Sequence, residues 1–157
     1  MNVLFICSGN TCRSPFAEAL LHHKISCLMT TPSFAQSELD IQVKSAGTAA
    51  SSGRPMSFAM EIILQEQGIE STHLSQRLHW DLIDWADLML TMTRVQKALL
   101  ISQMPELTPK LFTLNEYVGN QAHPDIEDPH GTDLESYRQC AAAIEVACDR
   151  LLNKLES

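Results

Sequence analysis

The sequence predicts an α/β fold, a three-layer sandwich in which helices cover both faces of a four-stranded parallel sheet, and three observations carry that expectation. Short apolar runs suited to strands buried on both faces alternate with stretches of helical periodicity. Strand, helix and strand in that order fold as right-handed βαβ units, and hence as a parallel sheet. A length of 157 residues with 45% hydrophobic content supplies a core for both faces. Residues 1–157 are therefore read as a single domain, with no internal repeat, linker or low-complexity segment.

Val3 to Ile6 is a continuous apolar run, the first strand, and it ends at Cys7. After a Gly/Asn/Thr turn, Ser14 is the expected N-cap, Pro15 suits the first helical position and Glu18 the electropositive first turn. That helix is expected from Pro15 to about Lys24, with Phe16, Leu20 and Leu21 inward. Residues 27–40 lack sustained periodicity and read as a long connection with room for a short helical extension. "IQVKSAG" is the second strand. Pro55 is expected to open the next helix, with Met56, Met60, Ile63 and Leu64 on its inner face and Gly68 as its C-cap. A third strand is expected near Leu88 to Thr91, then a helical stretch through Val95, Leu99 and Leu100, then "KLFTL" as the fourth strand. Thr132 to Glu135 reads as a capping box for the last helix, whose Leu134, Tyr137, Ala141, Ile144, Cys148, Leu151 and Leu155 form one apolar stripe.

Eleven Lys and Arg against nineteen Asp and Glu give a net charge of −8, which repels nucleic acid and anionic membrane over most of the surface. Recognition of an anion must then be local. Val3 to Ile6 is too short for a signal-peptide core or a membrane span and has no basic residue before it, and bulky Ile6 argues against lipoprotein cleavage at Cys7. Five cysteines at irregular spacing, Cys7, Cys12, Cys27, Cys140 and Cys148, argue against a disulfide framework and for reduced thiols. The expectation is a cytoplasmic monomer.

The turn after the first strand, "CSGNTCRS", occupies the place where open parallel sheets bind ligands. Backbone N–H groups left unpaired at a helix start converge on an anion, and the helix dipole adds favourable potential. The loop lacks the GK[ST] ending of a nucleotide P-loop and offers Arg13 instead, whose planar fork binds two oxygens of a tetrahedral oxyanion. The same field favours the thiolate form of a cysteine, the nucleophilic one. Cys7 stands in it, and Ser14 can donate a hydrogen bond to its sulfur. Gly9 permits close backbone approach, and Asn10 tolerates a left-handed conformation. Competing readings exist: a merely buried Cys7, or a zinc site from Cys7, Cys12, His22, His23 and Cys27. The zinc spacings do not close a site, and Arg13 would repel the cation. Cys140 and Cys148 fall near the stripe of the last helix and read as core.

C-x5-R-S after the first strand, "GNTCRSP", "SAGT", "GIESTHLSQRL", "WADLMLTM" and "EDPHG" before the last helix, in that order, resemble the low-molecular-weight protein-tyrosine-phosphatase family over essentially the whole chain. The resemblance implies strand order 2-1-3-4, Cys7 as nucleophile, Arg13 as phosphate and transition-state binder, and Asp128 as general acid. It implies a phosphate-binding loop of Ser8, Gly9, Asn10, Thr11, Cys12, Arg13 and Ser14, a phosphocysteine intermediate, a phosphorylated protein as substrate, and no cofactor or metal. Asn10, Ser45 and His73 are implied as a hydrogen-bonded support beneath the loop, although Ser45 alone reads as a strand end and His73 as an ordinary loop histidine. A reversible Cys7–Cys12 disulfide that protects the nucleophile fits the same resemblance, against a Cys12 merely packed behind the loop. Asp128 competes with Asp125 and Glu127, and Pro129 sets the chain direction after it.

Tyrosine phosphatases of this family carry a bulky apolar residue where Thr11 stands and aromatic residues after the Asp-Pro pair; here His130 and Gly131 follow. Thr11 with the DP-x-G loop resembles the bacterial protein-arginine-phosphatase branch, which tends to have Phe at the position of His130. A threonine hydroxyl makes the pocket wall narrower and more polar, which suits a guanidinium better than a phenol, and Asp128 can pair with it. The expected substrate is therefore protein phosphoarginine, with phosphotyrosine as the alternative and Thr11 and His130 as the residues that choose. A thiol-coupled arsenate reductase needs a resolving cysteine pair in mid-chain, and none lies between Cys27 and Cys140. A non-catalytic phosphoresidue binder would lack nucleophile or acid, yet Cys7, Arg13 and Asp128 are all present.

Overall fold

The computed structural model describes residues 1–35, 40–129 and 131–157. Four strands, β1 (Asn2–Cys7), β2 (Gln42–Gly47), β3 (Leu88–Thr91) and β4 (Leu111–Thr113), form one parallel sheet in the order β2-β1-β3-β4. The expected topology and all four strands are thus present. Around them run α1 (Arg13–Met29), α2 (Pro32–Ala35), α3 (Phe58–Glu66), α4 (Trp80–Trp85), α5 (Arg94–Gln103), a 3-10 helix (Pro105–Lys110), α6 (Leu114–Tyr117) and α7 (Leu134–Glu156). Among the described residues, no helix is long and apolar enough to cross a membrane.

The period-two alternation of β1 divides the core. Val3, Phe5 and Cys7 join Phe16, Leu20 and Leu21 of α1, Met60 and Leu64 of α3, and Ile144, Cys148 and Leu151 of α7. Leu4 and Ile6 point the other way, against Leu82 and Ile83 of α4, Leu100 of α5 and Leu107 of the 3-10 helix. Both faces of the central strand are covered, which is why its apolar run is unbroken. Cys140 and Cys148 are both buried, as expected of core thiols.

Several boundaries differ from expectation. α1 begins at Arg13, and Ser14 lies inside it instead of capping it, because its hydroxyl is taken by Cys7 and Asn10. Glu18 falls beyond the first turn, and its carboxylate accepts from Ser45 Oγ at 2.7 Å. The helix passes Lys24 to reach Met29, since Ile25 and Leu28 continue its packing against the core. α2 is the short extension allowed for in the 27–40 stretch, of which residues 36–39 lie outside the described residues. α3 starts at Phe58 and not at Pro55, which instead forms an isolated bridge with Leu74. Gly68 lies one residue past the C-cap with φ 74°, and the Ile69 and Gly68 N–H groups close back on Leu64 O and Gln65 O at 2.9 and 3.0 Å. That is a Schellman ending.

In α5, Val95 and Leu99 face solvent at 77% and 47% exposure, while Gln96 and Leu100 turn to the sheet. The cap of α7 is Asp133, whose Oδ1 accepts from Ser136 N at 3.0 Å; the Thr132 hydroxyl donates to the Pro129 carbonyl instead. Leu134, at 44% exposure, drops out of the apolar stripe. α4, the 3-10 helix and α6 were not expected; they are short, and tertiary packing of Leu82, Ile83, Leu107 and Leu114 holds them.

Candidate active site

The β1–α1 loop lies at the carboxyl end of the sheet, with Cys7 paired opposite Gly47 of β2. Cys7 is 2% exposed, and its carbonyl accepts from Thr48 N at 2.9 Å. Its sulfur is 2.9 Å from Ser14 Oγ. Among the described residues, the backbone N–H groups from Ser8 through Ser14 donate to no acceptor. Such groups in a tight loop at a helix start form a concave nest for an anion, reinforced by the α1 dipole.

Asn10 is the most heavily bonded side chain of this loop. Its φ of 55° is in the left-handed region, and it is wholly buried. Its amide donates to Ser14 Oγ and to Ser45 Oγ, both at 2.9 Å, and accepts from Gln76 N at 2.9 Å. The His73 ring meets its carbonyl through Nε2 at 2.7 Å, so that nitrogen carries the proton. His73 Nδ1 lies 3.7 Å from Glu18 Oε2. With the Ser45–Glu18 bond, these contacts link Asn10, Ser45 and His73, together with Ser14, into one network. Gly47 closes the floor: a Cβ there would lie 2.5 Å from Ser8 O and 3.0 Å from Asn10 N, so only glycine lets β2 approach the loop.

Arg13 is buried, its side chain 5% exposed; Nη1 donates to the Ile126 carbonyl at 2.9 Å, and Nη2 is 3.7 Å from Asp128 Oδ2. Asp128 is much more open, with its side chain 49% exposed. Of the three acids considered, Asp125 is bound to Arg94 and Asp128 is the one that faces Arg13. Thr11 is half-buried, its carbonyl accepting from Ser57 N at 2.7 Å, and its Oγ1 lies 3.7 Å from where a Gly9 Cβ would stand. His130 lies outside the described residues.

Cys12 is a half-buried free thiol; burial pushes its pKa up, as do Cys140, Asp128 and Cys7 nearby, with Arg13 opposing. Burial likewise raises Cys140, to about 11. Cys27 is exposed on α1 and contacts His23 Nε2 at 3.5 Å, in a pairing of its own.

Several residues in and around the site escaped the sequence reading. Gln96 takes the Met92 and Thr93 N–H groups on Oε1 and donates from Nε2 to Ser8 Oγ at 3.1 Å. The signal was available, since Thr93 to Gln96 is a capping-box pattern. Gln76 and the Ile126 carbonyl left no local signal. Tyr137, expected only as part of the apolar stripe, also stands near the site: burial raises its pKa, neighbouring Cys12 and Asp128 add to the effect, and the Gly131 backbone opposes it.

The arrangement is a thiol beneath a nest of N–H groups, with a buried guanidinium and an open carboxylate on one rim. It suits in-line attack on a tetrahedral oxyanion, with charge stabilised by fixed donors and a proton available to the leaving group.

Comparison with known proteins agrees with that chemistry. The family model described as low molecular weight phosphotyrosine protein phosphatase matches residues 2–157. A protein-arginine-phosphatase of Geobacillus stearothermophilus is 39% identical over 155 residues, covering 99% of this chain and 96% of its own. A low molecular weight protein-tyrosine-phosphatase, PtpB of Staphylococcus epidermidis, is 33% identical over 156 residues, covering 99% and 100%. Among solved structures, a YwlE arginine phosphatase, a cysteine-to-serine mutant with phosphorylated active site serine, superposes with a TM-score of 0.87 at 34% identity, covering 100% of this chain and 97% of that one.

Proposed function

The chain belongs to the low-molecular-weight phosphotyrosine protein phosphatase family, and from that premise we propose that it hydrolyses phosphoarginine on proteins through a phosphocysteine formed on Cys7. The observation that carries the reading is the convergence of Cys7 Sγ, the unpaired loop N–H groups, Arg13 and Asp128 on one end of the sheet. Cys7 attacks phosphorus while Arg13 and the loop amides stabilise the equatorial oxygens, and Asp128 gives its proton to the departing nitrogen. The phosphorus–nitrogen bond breaks as the sulfur–phosphorus bond forms. Asp128, now a carboxylate, then takes a proton from water, whose oxygen displaces Cys7 and releases inorganic phosphate. Ser14 donates to the sulfur as it leaves. Asn10, Ser45 and His73 hold the loop in shape.

For the substrate, support comes from a threonine at position 11 of the loop, from Asp128 as a partner for a guanidinium, and from similarity to proteins named arginine phosphatases. The phosphorylated serine of the related mutant supports a covalent step on the nucleophile. All site groups come from one chain, which supports a monomer. Five free thiols support the reducing cytoplasm as its compartment. The Cys7–Cys12 disulfide is retained as a protective form, with the raised Cys12 pKa making its closure slow. Peroxide treatment and peptide mapping that find no such crosslink would remove it.

Two measurements test the reading. An aryl phosphate assay should show turnover that Cys7→Ser abolishes. Side-by-side kinetics on phosphoarginine and phosphotyrosine peptides should favour arginine, and Thr11→Ile should move the ratio toward tyrosine by roughly tenfold or more. Equal or better phosphotyrosine turnover by the unmodified chain would overturn the substrate assignment.

A further inference from the structure

The loop that carries Asp128 is fastened by contacts that take no part in the chemistry. Arg94, the first residue of α5, grips the Asp125 carboxylate three times: its backbone N–H reaches Oδ1 at 2.8 Å, Nε reaches Oδ1 at 3.3 Å, and Nη2 reaches Oδ2 at 3.2 Å. At the next residue, Ile126 N donates to Met92 O at 2.9 Å. The Ile126 carbonyl in turn holds Arg13, which faces Asp128. Both anchors of the loop therefore come from the one turn between β3 and α5. That turn is also bound to the phosphate loop, through Gln96 and Ser8.

An exposed ion pair by itself contributes little. This one differs in geometry, because one carboxylate receives a backbone N–H and two guanidinium donors, and its side chain is only 19% exposed against 68% for Arg94. One anchor fixes where a chain passes. Two anchors at consecutive residues also fix the direction in which it leaves, and Asp128 lies three residues further on. Arg94 holds Asp125 ionised below the usual aspartate range, so the clasp is closed throughout the neutral region.

We infer that Asp125 is a positioning residue: clasped by Arg94, it sets the approach of Asp128 to the leaving group without touching substrate. The inference rests on the reading of Asp128 as general acid, and the experiment separates the two.

The measurement is kcat/KM over a series of aryl phosphates of rising leaving-group pKa, for the wild type, Asp128→Asn, Asp125→Ala and Arg94→Met, with inhibition by inorganic phosphate measured in parallel. Asp128→Asn should lose most with the poorest leaving groups. Asp125→Ala should show the same tilt, with a loss of roughly 10- to 30-fold for the poorest and under about threefold for the best, as expected for a displaced acid. Phosphate inhibition should stay within about twofold, because Ile126 remains bound to Met92 and still holds Arg13. Arg94→Met keeps the backbone bond to Asp125 and should tilt the series less; it carries the test alone if Asp125→Ala does not fold. A uniform loss across the series, or no loss, overturns the positioning role. A flat series for Asp128→Asn overturns the acid assignment itself, and the positioning role with it.

Discussion

Asn10 combines two demands that different residues usually meet. Its backbone stands at φ 55°, where glycine is most at ease, yet its side chain joins Ser14, Ser45 and Gln76 in a site without solvent. Asn10→Gly relieves the backbone but removes the acceptor of Gln76 N and one bond each from Ser14, still held by Cys7, and Ser45, still held by Glu18; Asn10→Ala adds the conformational cost. Asn10→Ala should lower unfolding free energy by about 2–4 kcal/mol, and Asn10→Gly by roughly 1 kcal/mol less. Denaturant unfolding of the two variants checks the order. If glycine were the worse of the two, the left-handed backbone would not be what asparagine is there to supply.

Between elements, the close approach of β2 to the phosphate loop depends on Gly47. A methyl group there would meet backbone atoms, Ser8 O and Asn10 N, and the Ala50 side chain at 2.8 Å. Those backbone atoms cannot swing aside, so the loop itself must move. Gly47→Ala should fold with a lowered melting temperature and lose about tenfold or more in kcat/KM, since displacements near 1 Å are costly at a reacting centre. Unchanged kinetics would show that the loop accommodates the methyl group. At the start of the last helix, Asp133 caps α7 by accepting from Ser136 N and Oγ. The Ser136 backbone bond holds its carboxylate below the usual aspartate range. A depressed folded-state pKa gives stability that is present above the unfolded value and is lost as pH falls through the folded one. Asp133→Ala should therefore melt about 2–4 °C lower at neutral pH, with the difference closing in acid below the ordinary aspartate range. Melting curves at both pH values check it.

The molecule as a whole carries −8, yet among the described residues the one charged residue it buries is a cation, Arg13 of the phosphate loop. The anion site is thus built from local sources, Arg13 and the start of α1, within a repulsive exterior. Burial also sorts the thiols. Cys148 is fully enclosed and pushed up to about 12, and Cys140 to about 11, both chiefly by burial. Cys27 lies open on α1. A thiol reagent applied to the native protein at neutral pH should label Cys27 at once, and Cys140 and Cys148 only as the fold opens. Peptide mapping of a time course reads this directly, and rapid native labelling of Cys148 would contradict the packing of α7 against the sheet.

The sequence by itself determined the strand–loop–helix unit at Cys7 to Arg13, the four strands and the sheet class, because each rests on contiguous spacing. An apolar run buried on both faces, a turn, and a helix start with an arginine are local properties of the chain. Its errors were also local: Ser14 looked like a cap until Cys7 and Asn10 took its hydroxyl, and Val95 and Leu99 looked like core until Gln96 and Leu100 faced the sheet. Tertiary structure alone decided which distant groups meet the loop. Gln76 is 66 residues from Asn10, and Ile126 is 113 residues from Arg13. Both contacts use backbone atoms, which every residue possesses, so no residue type marks them in advance. Which acid faces Arg13, and which one is spent on Arg94, follows from how the loop docks on the β3–α5 turn, a relation between segments that spacing along either one does not encode.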